Sequence, residues 1–447
     1  MKPRRQAPSL ARRPVARPDP GASPRRDAGR PALLLRYLGG LAALLATLAG
    51  PQALRAEGPP DPAKSRAAVE ALADGRDAGL ESAPLTRDDA GRALRVLADR
   101  HAAAIRKDRA AEVEARRIEL GGREMPFFYR VHGAKPEGGR SLYLSLHGGG
   151  GAPARVNDQQ YENQKGLYRP AEGVYLAPRA PSNTWDLWHQ GHVDAFLERL
   201  IEDMVVFEGV DPDRVYLMGY SAGGDGVYQL APRMADRLAA AAMMAGHPNE
   251  SRPLGLRNIG FALHVGAEDA AYDRNRVARE YGEALDTLRG ADPEGYPHLV
   301  EIHAGRGHWM NREDASALPW MARFRRDPAP KKVVWFQDDA TRDRSYWLAV
   351  APGRARPGTL AVVAVAGQEV RIEQADGLDR LTIRLDDRLL DLDRPVRVLA
   401  RGRTIFEGPA PRTIATLRRT LDQSGDPGLA FVAEIPVTLP PAATDAR

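Results

Sequence analysis

The residues best suited to chemistry form the segment Gly-Tyr-Ser-Ala-Gly at 219–223, which follows an apolar run at 215–218. When a strand ends in Gly-x-Ser-x-Gly and turns sharply into a helix, its serine is held in a strained backbone conformation. Glycines two residues away on either side avoid steric collisions in such a turn. The turn raises the serine hydroxyl above the edge of the sheet, where a base can reach it. This segment therefore predicts that Ser221 is a nucleophile.

A nucleophilic serine requires a base and an acid, and in this arrangement they follow the serine in the order Asp or Glu, then His. Asp269 lies just beyond a predicted strand at 261–265, and His308 follows a predicted strand at 299–302. Both positions are carboxyl ends of strands, the edge at which the catalytic residues of α/β sheets converge. We predict a triad of Ser221, Asp269 and His308.

Alternative residues exist for two of these three roles. Glu268 and Asp273 are alternative acids, and Asp269 is preferred because it lies one short turn beyond its strand. His303 is an alternative base, but it belongs to the strand at 299–302 and is expected to point elsewhere.

A glycine-rich segment, His-Gly-Gly-Gly-Gly at 147–151, follows a predicted strand at 142–146. Glycines allow backbone amides to point at a developing oxyanion, and Ala222, which begins the helix after Ser221, would supply a second donor. We predict an oxyanion hole from Gly148, Gly149 and Ala222. Loss of one such donor typically costs about 3–4 kcal/mol of transition-state stabilisation.

Four aromatic residues are candidates for a substrate pocket: Trp185, Trp188, Tyr220 and Trp309. Trp185 and Trp188 precede a predicted helix, so they either wall an acyl or alcohol pocket or pack that helix onto the sheet. Trp309 is adjacent to His308 and either lines the pocket or fills the core. The sequence leaves both questions open.

Neither a metal nor an organic cofactor is predicted. His189 and His192 have no third ligand at a useful spacing, and serine chemistry requires no metal. The chain also has no cysteine, which excludes a thiol nucleophile and thiolate metal sites.

Strand and helix patterns alternate from residue 117 to about 327, which predicts a mainly parallel sheet covered by helices on both faces. The clearest helical stretches are 193–207 and 274–289. The predicted strands are 126–131, 142–146, 174–177, 215–218, 240–244, 261–265 and 299–302.

The regions on either side of this catalytic domain have a different character. Residues 57–116 carry apolar residues at helical spacing and predict a helical N-terminal segment of one or two helices. Residues 331–447 contain short alternating runs separated by Gly, Asp and Pro turns, with a helix near 412–421. They predict a smaller accessory β-rich domain, sandwich-like and without an active-site motif.

The first 56 residues resemble an export leader, with a basic start followed by an apolar run at 38–48. We expect an exported protein, periplasmic or secreted. The alternative is an uncleaved segment that anchors the chain in a membrane; if the segment is cleaved, no stable membrane partner is expected.

The net charge of +5 belongs to this leader. Eleven of the 64 basic residues but only two of the 59 acidic residues lie within it, so the remainder has four more acidic than basic residues. No nucleic-acid partner is therefore expected.

These segments together resemble the α/β-hydrolase superfamily, and specifically bacterial exported esterases of the polyhydroxybutyrate-depolymerase and feruloyl/acetylxylan-esterase type. The resemblance covers about residues 120–325. It is carried by 142–151, Trp-Asp-Leu-Trp-His at 185–189, 219–224, Gly-Ala-Glu-Asp at 266–269 and Gly-His at 307–308. It implies a nucleophile at Ser221, an acid at Asp269, a base at His308, and oxyanion amides near Gly149 and at Ala222.

The function expected from the sequence is hydrolysis of a carboxylic ester by a serine hydrolase through an acyl-enzyme, with an ester as the partner molecule. A serine peptidase of the same fold is one alternative. A non-catalytic surface-binding protein that keeps the fold is another, and it predicts a missing triad residue, whereas all three are present. Secreted depolymerases of this type often carry disulfides and polymer-binding modules. This chain has no cysteine, and no such module is recognisable in 331–447.

Overall fold

The computed structural model describes residues 60–441, so the predicted leader at 1–56 lies outside the described residues. Eight α-helices form within this range: α1 Pro62–Ala73, α2 Arg87–Ala115, α3 Ala154–Gln164, α4 His192–Glu208, α5 Ala222–Arg233, α6 Arg274–Ala291, α7 Ala317–Met321 and α8 Ile414–Ser424. None of the helices in this range combines the length and apolar composition needed to cross a membrane.

The strands between residues 117 and 303 are β1 Arg117–Leu120, β2 Arg123–His132, β3 Arg140–Leu146, β4 Gly173–Pro178, β5 Val210–Tyr220, β6 Ala240–Met244, β7 Gly260–Gly266 and β8 His298–His303. They form one sheet in the order β1-β2-β4-β3-β5-β6-β7-β8. Strands β3 to β8 are parallel, whereas β1 and β2 pair antiparallel at one edge. The seven strands predicted from the sequence correspond to β2–β8, and β1 was not predicted.

The register of the central strands brings their carboxyl ends into one row. Gly219 of β5 pairs with Leu146 of β3 on one side and with Met243 of β6 on the other. One residue further along, Met244 pairs with His264 of β7. The loops that leave β3, β5, β7 and β8 therefore emerge at the same edge of the sheet, which is where the predicted site residues lie.

Both faces of this sheet are buried. In β5, Leu217 belongs to a core with residues of α4, α5 and α6, while Tyr216 and Met218 belong to a second core that includes α7. Strands covered on both faces read as continuous apolar runs rather than as alternating ones, which is why 174–177 and 240–244 were recognisable. The predicted mainly parallel sheet covered by helices is confirmed.

The described chain from residue 332 onward forms a β-rich region of two smaller sheets. Its strands are β9 Lys332–Phe336, β10 Arg344–Ser345, β11 Leu348–Ala349, β12 Leu360–Ala366, β13 Glu369–Asp376, β14 Arg380–Leu385, β15 Val396–Ala400, β16 Arg403–Gly408 and β17 Ala433–Thr438. One sheet has the order β16-β15-β13-β12-β9 and the other β10-β11-β14-β17. Buried residues of both sheets belong to one apolar core, as expected for a sandwich-like arrangement.

Helix α2 contacts both the α/β sheet layer and the β-rich region. Glu112 near its end binds Arg199 of α4 through both carboxylate oxygens, at 2.7 and 2.8 Å. Arg87 in its first turn lies 3.1 Å from Asp387, between β14 and β15. The helical segment predicted at 57–116 thus contains α1 and α2, and α2 packs along the body of the protein.

A buried cluster of charges joins the β-rich region to the α/β region. Asp426, after α8, accepts a hydrogen bond from Arg237 at 3.0 Å and forms an ion pair with Arg326 at 2.7 Å. The three side chains are at most 2% exposed. Burial opposes ionisation of Asp426, but Arg326 and Arg237 hold the pKa of this carboxyl below its usual value. Arg326 also binds Asp213 at 2.7 Å, so the cluster contains two cations and two anions.

Replacing Asp426 with alanine is expected to destabilise the protein by about 3–5 kcal/mol, because the buried guanidinium of Arg237 would lose the carboxylate it pairs with and that of Arg326 would keep only Asp213. The midpoint of urea denaturation of the full chain measures this effect. Asp422→Ala is the matched control, since Asp422 is exposed on α8, and it should change stability by less than about 0.5 kcal/mol. Equal midpoints for the two variants would contradict the assigned importance of the cluster.

Candidate active site

Ser221 occupies a strained turn between β5 and α5, with φ +57° and ψ −123°. A Cβ atom added to Gly219 would lie 2.2 Å from the carbonyl oxygen of Gly223, and one added to Gly223 would lie 2.2 Å from the carbonyl oxygen of Leu146. Only glycine fits at either position. The Ser221 amide donates to the carbonyl of Met244 at 2.9 Å, which anchors the turn to β6. Such strain persists only where the surroundings determine the backbone strongly, and it is concentrated at functional sites.

The structure brings Ser221, His308 and Asp269 into one hydrogen-bonded row. His308 Nε2 lies 2.9 Å from Ser221 Oγ, and His308 Nδ1 lies 2.8 Å from Asp269 Oδ2. The Asp269 side chain is 1% exposed, whereas that of His308 is 43% exposed. The imidazole therefore has a buried carboxylate on one side and an accessible hydroxyl on the other.

Asp269 rather than its neighbours faces the imidazole. Glu268 is exposed, and Asp273 pairs with Arg276 at 3.0 Å. The second carboxylate oxygen of Asp269 lies 3.6 Å from Arg274. His303, the alternative base, is the last residue of β8, and its Nε2 lies 3.2 Å from Nδ1 of His264 rather than near Ser221.

The glycine segment after β3 lies against the nucleophile. A Cβ atom added to Gly148 would lie 3.2 Å from Cβ of Ser221. Within residues 60–441, the amides of Gly148 and Gly149 donate no hydrogen bond to another group. The amide of Ala222 is in the first turn of α5, where helical amides have no intrahelical acceptor. All three candidate oxyanion donors are therefore available at this edge of the sheet.

Asn157 of α3 holds the glycine segment in place, a role that sequence reasoning missed. Its side chain accepts from the amide of Gly150 at 3.0 Å and donates to the carbonyl of the same residue at 3.1 Å. Asn157 is fully buried. A polar residue six positions after Gly151 carries no distinctive sequence signal, since its partner in the glycine segment is a backbone group.

His147 and Trp188 also hold the glycine segment in place. Burial lowers the pKa of His147 to about 4, so its imidazole is neutral at pH 7. Its Nε2 accepts from the amide of Ala180 at 3.0 Å, and Nδ1 therefore donates to the carbonyl of Gly148 at 2.6 Å. Trp188 is fully buried, and its indole N–H donates to the carbonyl of His147 at 3.0 Å. The buried position of Trp188 agrees with the predicted packing role rather than with a wall of a substrate pocket.

Tyr220 also lies inside the protein rather than in an open pocket. Its hydroxyl donates to the carbonyl of His308 at 2.5 Å and accepts from the amide of Met310 at 3.1 Å. Burial raises the pKa of this phenol, so it stays protonated. The residue next to the nucleophile thus positions the loop that carries the imidazole.

Tyr220→Phe is expected to lower kcat for an ester substrate about tenfold with little change in KM, because the loop around His308 loses its anchor and the buried amide of Met310 loses its partner. Steady-state kinetics measure this. Tyr281→Phe is the matched control, since that buried hydroxyl has no partner among the described residues, and it should leave kcat unchanged. Identical kinetics for the two variants would contradict the positioning role.

Three exposed aromatic side chains lie on loops at the catalytic edge of the sheet. Trp185 follows β4 and is 64% exposed, Tyr272 follows β7 and is 77% exposed, and Trp309 follows β8 and is 49% exposed. The backbone of Trp185 lies beside the glycine segment: a Cβ atom on Gly151 would be 3.5 Å from its amide nitrogen. Tyr272 was not predicted, because an isolated tyrosine in a loop gives no signal in sequence. We call these three residues the aromatic rim.

The strand order, the strained serine turn after β5, and an aspartate and a histidine after β7 and β8 together define an α/β-hydrolase fold with a serine hydrolase-type site. The arrangement can activate a hydroxyl for attack on a carbonyl carbon and can offer backbone amides to the resulting oxyanion.

Comparison with known proteins agrees with this class. The chain is 33% identical over 165 residues to a protein named "Putative esterase NocK" from Nocardia uniformis subsp. tsuyamanensis, which is 32% of this chain and 46% of the relative. It is 36% identical over 112 residues to the bifunctional acetylxylan esterase/xylanase XynS20E of Neocallimastix patriciarum, covering 24% of this chain and 16% of that protein. The chain thus spans less than half the length of either relative.

Among solved structures, a thermostable esterase aligns over 47% of this chain and 62% of its own, with 17% identity and a TM-score of 0.36. No family model matches the chain. The resemblance to α/β-hydrolase esterases predicted from the sequence is confirmed by the esterase relatives.

Proposed function

We propose that this chain is a serine hydrolase that cleaves carboxylic esters through an acyl-enzyme intermediate. The observation that supports the proposal most directly is the position of His308, 2.9 Å from the hydroxyl of Ser221 and 2.8 Å from the carboxylate of Asp269. The esterase names of the sequence relatives are consistent with ester rather than amide substrates.

In the first step, Ser221 Oγ attacks the ester carbonyl carbon while His308 Nε2 accepts the hydroxyl proton. Asp269 keeps the proton of His308 on Nδ1 and stabilises the imidazolium that forms. The tetrahedral intermediate collapses, the bond to the alcohol oxygen breaks, and His308 returns the proton to the departing alcohol. Water, deprotonated by His308, then hydrolyses the acyl-serine and regenerates the free hydroxyl.

The developing oxyanion would be stabilised by the amides of Gly148 or Gly149 and of Ala222. Support for this role comes from their closeness to Ser221 and from their freedom from other acceptors among the described residues. Because Asn157, His147 and Trp188 hold the glycine segment in advance, its amides would need no reorganisation during the reaction.

The aromatic rim would contact the acyl or alcohol group of the substrate. Trp185, Tyr272 and Trp309 expose apolar surface beside polar catalytic groups, a composition typical of ligand sites. One sequence relative is named an acetylxylan esterase, so acetyl esters are the first substrates to test.

The proposal is tested by incubating the full chain with p-nitrophenyl acetate and, separately, with a fluorophosphonate probe. Turnover of the ester, labelling of Ser221 located by mass spectrometry, and loss of turnover after labelling are the expected results. Labelling together with cleavage of a p-nitroanilide but not of acetyl, butyryl or feruloyl esters would identify a peptidase instead. Absence of both labelling and turnover would favour a non-catalytic binding protein.

We also propose that residues 1–56 direct export and that residues 331–447 form an accessory domain. The basic start and the apolar run at 38–48 support the first proposal. The change from parallel α/β structure to two smaller sheets after residue 331 supports the second.

A further inference from the structure

Two histidines and a glutamate converge where β7 and β8 approach the catalytic edge of the sheet. His264 Nδ1 lies 3.2 Å from His303 Nε2 and 3.5 Å from Glu301 Oε2. All three potential ligand atoms lie within 4.8 Å of one another. None of these residues contributes to the triad.

These separations match those between the ligands of a tetrahedral metal ion. Zn²⁺ binds imidazole nitrogen and carboxylate oxygen at about 2.0–2.2 Å, so neighbouring ligands in a tetrahedral site are about 3.3–3.5 Å apart. The two distances from His264 Nδ1 agree with this value. Two imidazoles and one carboxylate form a donor set that suits Zn²⁺, Co²⁺ or Ni²⁺, whereas Ca²⁺ and Mg²⁺ require oxygen ligands.

His264 presents one ring nitrogen to the other two side chains. Its side chain is fully buried. Its Nε2 is enclosed and has no partner in the described part of the chain. Nδ1, which faces Glu301 and His303, is therefore the nitrogen through which this ring can bind an ion.

His303 has the outer partner that metal-binding histidines usually have. Its Nδ1 lies 3.5 Å from Glu313 Oε2, and Glu313 accepts a hydrogen bond from Arg306 at 2.8 Å. A carboxylate on the far nitrogen of a histidine fixes the tautomer that leaves the near nitrogen free for the metal. The carboxylate of Glu301 is itself held by the hydroxyl of Ser316, at 3.1 Å.

We propose that His264, Glu301 and His303 bind one divalent transition-metal ion of the Zn²⁺ class, with water completing the coordination. The ion would join the ends of β7 and β8 immediately before the loops that carry Asp269 and His308. Its role would be to stabilise these loops, and no step of ester hydrolysis passes through it.

The test uses the full chain, treated with EDTA and freed of it by dialysis, then titrated with ZnCl₂ and with CoCl₂. We expect one equivalent of Zn²⁺ per chain by calorimetry and by elemental analysis. We also expect a Tm that rises with Zn²⁺ concentration and a visible absorption band of tetrahedral Co²⁺. These readouts do not depend on activity, so failure of this proposal is distinguishable from failure of the proposed ester hydrolysis.

Variants separate this site from adventitious binding by other histidines. Glu301→Gln and His303→Ala should each abolish stoichiometric binding, and Glu313→Gln should weaken it about 10- to 100-fold. Glu301 is 39% exposed, so its variant should fold, and the metal-free Tm and far-UV circular dichroism check this. His298→Ala is the matched control: this histidine lies at the other end of β8, bonded to the carbonyl of Tyr296, and binding should be unchanged. Binding that is absent in the wild type, or equal in wild type and Glu301→Gln, overturns the proposal.

Discussion

Replacement of Ser221 with alanine is expected to lower kcat for p-nitrophenyl acetate by about 10⁴- to 10⁶-fold. The variant should keep the turn, because the hydrogen bond from residue 221 to the carbonyl of Met244 is donated by the backbone amide and does not involve the side chain. What it loses is the hydroxyl at 2.9 Å from His308, and without it no acyl-enzyme can form. KM should change little, because the aromatic rim and the glycine segment remain. Stopped-flow and steady-state assays measure the loss, and the burst of p-nitrophenolate should disappear.

The matched control is Ser182→Ala, which removes a hydroxyl whose hydrogen-bond partner is Thr184 rather than a triad residue. Its kcat should stay within about twofold of the wild type, as expected for a surface change away from the reacting atoms. If Ser221→Ala retained more than a tenth of wild-type activity, the nucleophile would have to be another residue.

Asp269→Asn is expected to reduce kcat by about 10³- to 10⁴-fold while leaving the fold and KM nearly intact. The carboxylate accepts the proton on His308 Nδ1 at 2.8 Å. An amide in the same place can present its own N–H to that nitrogen, which would move the imidazole proton to Nε2. In that tautomer His308 cannot accept the proton of Ser221.

Glu268→Gln provides the corresponding control, since it makes the same chemical change on the neighbouring exposed side chain. It should retain full activity. A comparable loss in both variants would mean that the acid of the triad is not yet identified. A loss only in Glu268→Gln would assign the acid to Glu268 instead of Asp269. Thermal denaturation of both variants shows whether any loss comes from unfolding.

The sequence predicted the central sheet well because its strands are buried on both faces. The run at 238–245 is continuously apolar and lies between Arg237 and Gly246, and 261–265 is apolar except for His264 and lies between two glycines, so their positions follow from composition. The positions of Ser221, Asp269 and His308 then follow from topology, since parallel strands deliver their following loops to one edge.

Side-chain direction could not be predicted in the same way. Trp185 and Trp188 are three residues apart, yet one is 64% exposed and the other fully buried. Which of them packs depends on the approach of α5, where a Cβ atom on Gly226 would lie 2.5 Å from Cβ of Trp188. Tyr220 bonds to backbone groups far away in sequence, and Asn157 bonds to the backbone of Gly150. Backbone groups leave no trace in residue type.

The sequence also could not predict that His264 lies close to Glu301 and His303, because this depends on the register between β7 and β8. In this register His264 pairs with Glu301, and Gly266 pairs with His303. A shift of one residue would turn the side chains of one strand to the opposite face and separate the group. From the sequence alone, we could predict only that β7 and β8 are strands and that each carries a histidine.

The buried contact of Asp426 with Arg237 and Arg326 has a consequence for how this protein can be recombined. A carboxylate from the C-terminal third pairs with two guanidinium groups that belong to the α/β region, at positions closed to water. A chimaera that grafted a different C-terminal module at residue 331 would therefore leave Arg237 without the carboxylate it pairs with and Arg326 with Asp213 alone. The α/β region and the β-rich region can be exchanged between related proteins only if this aspartate and its arginines are transferred together.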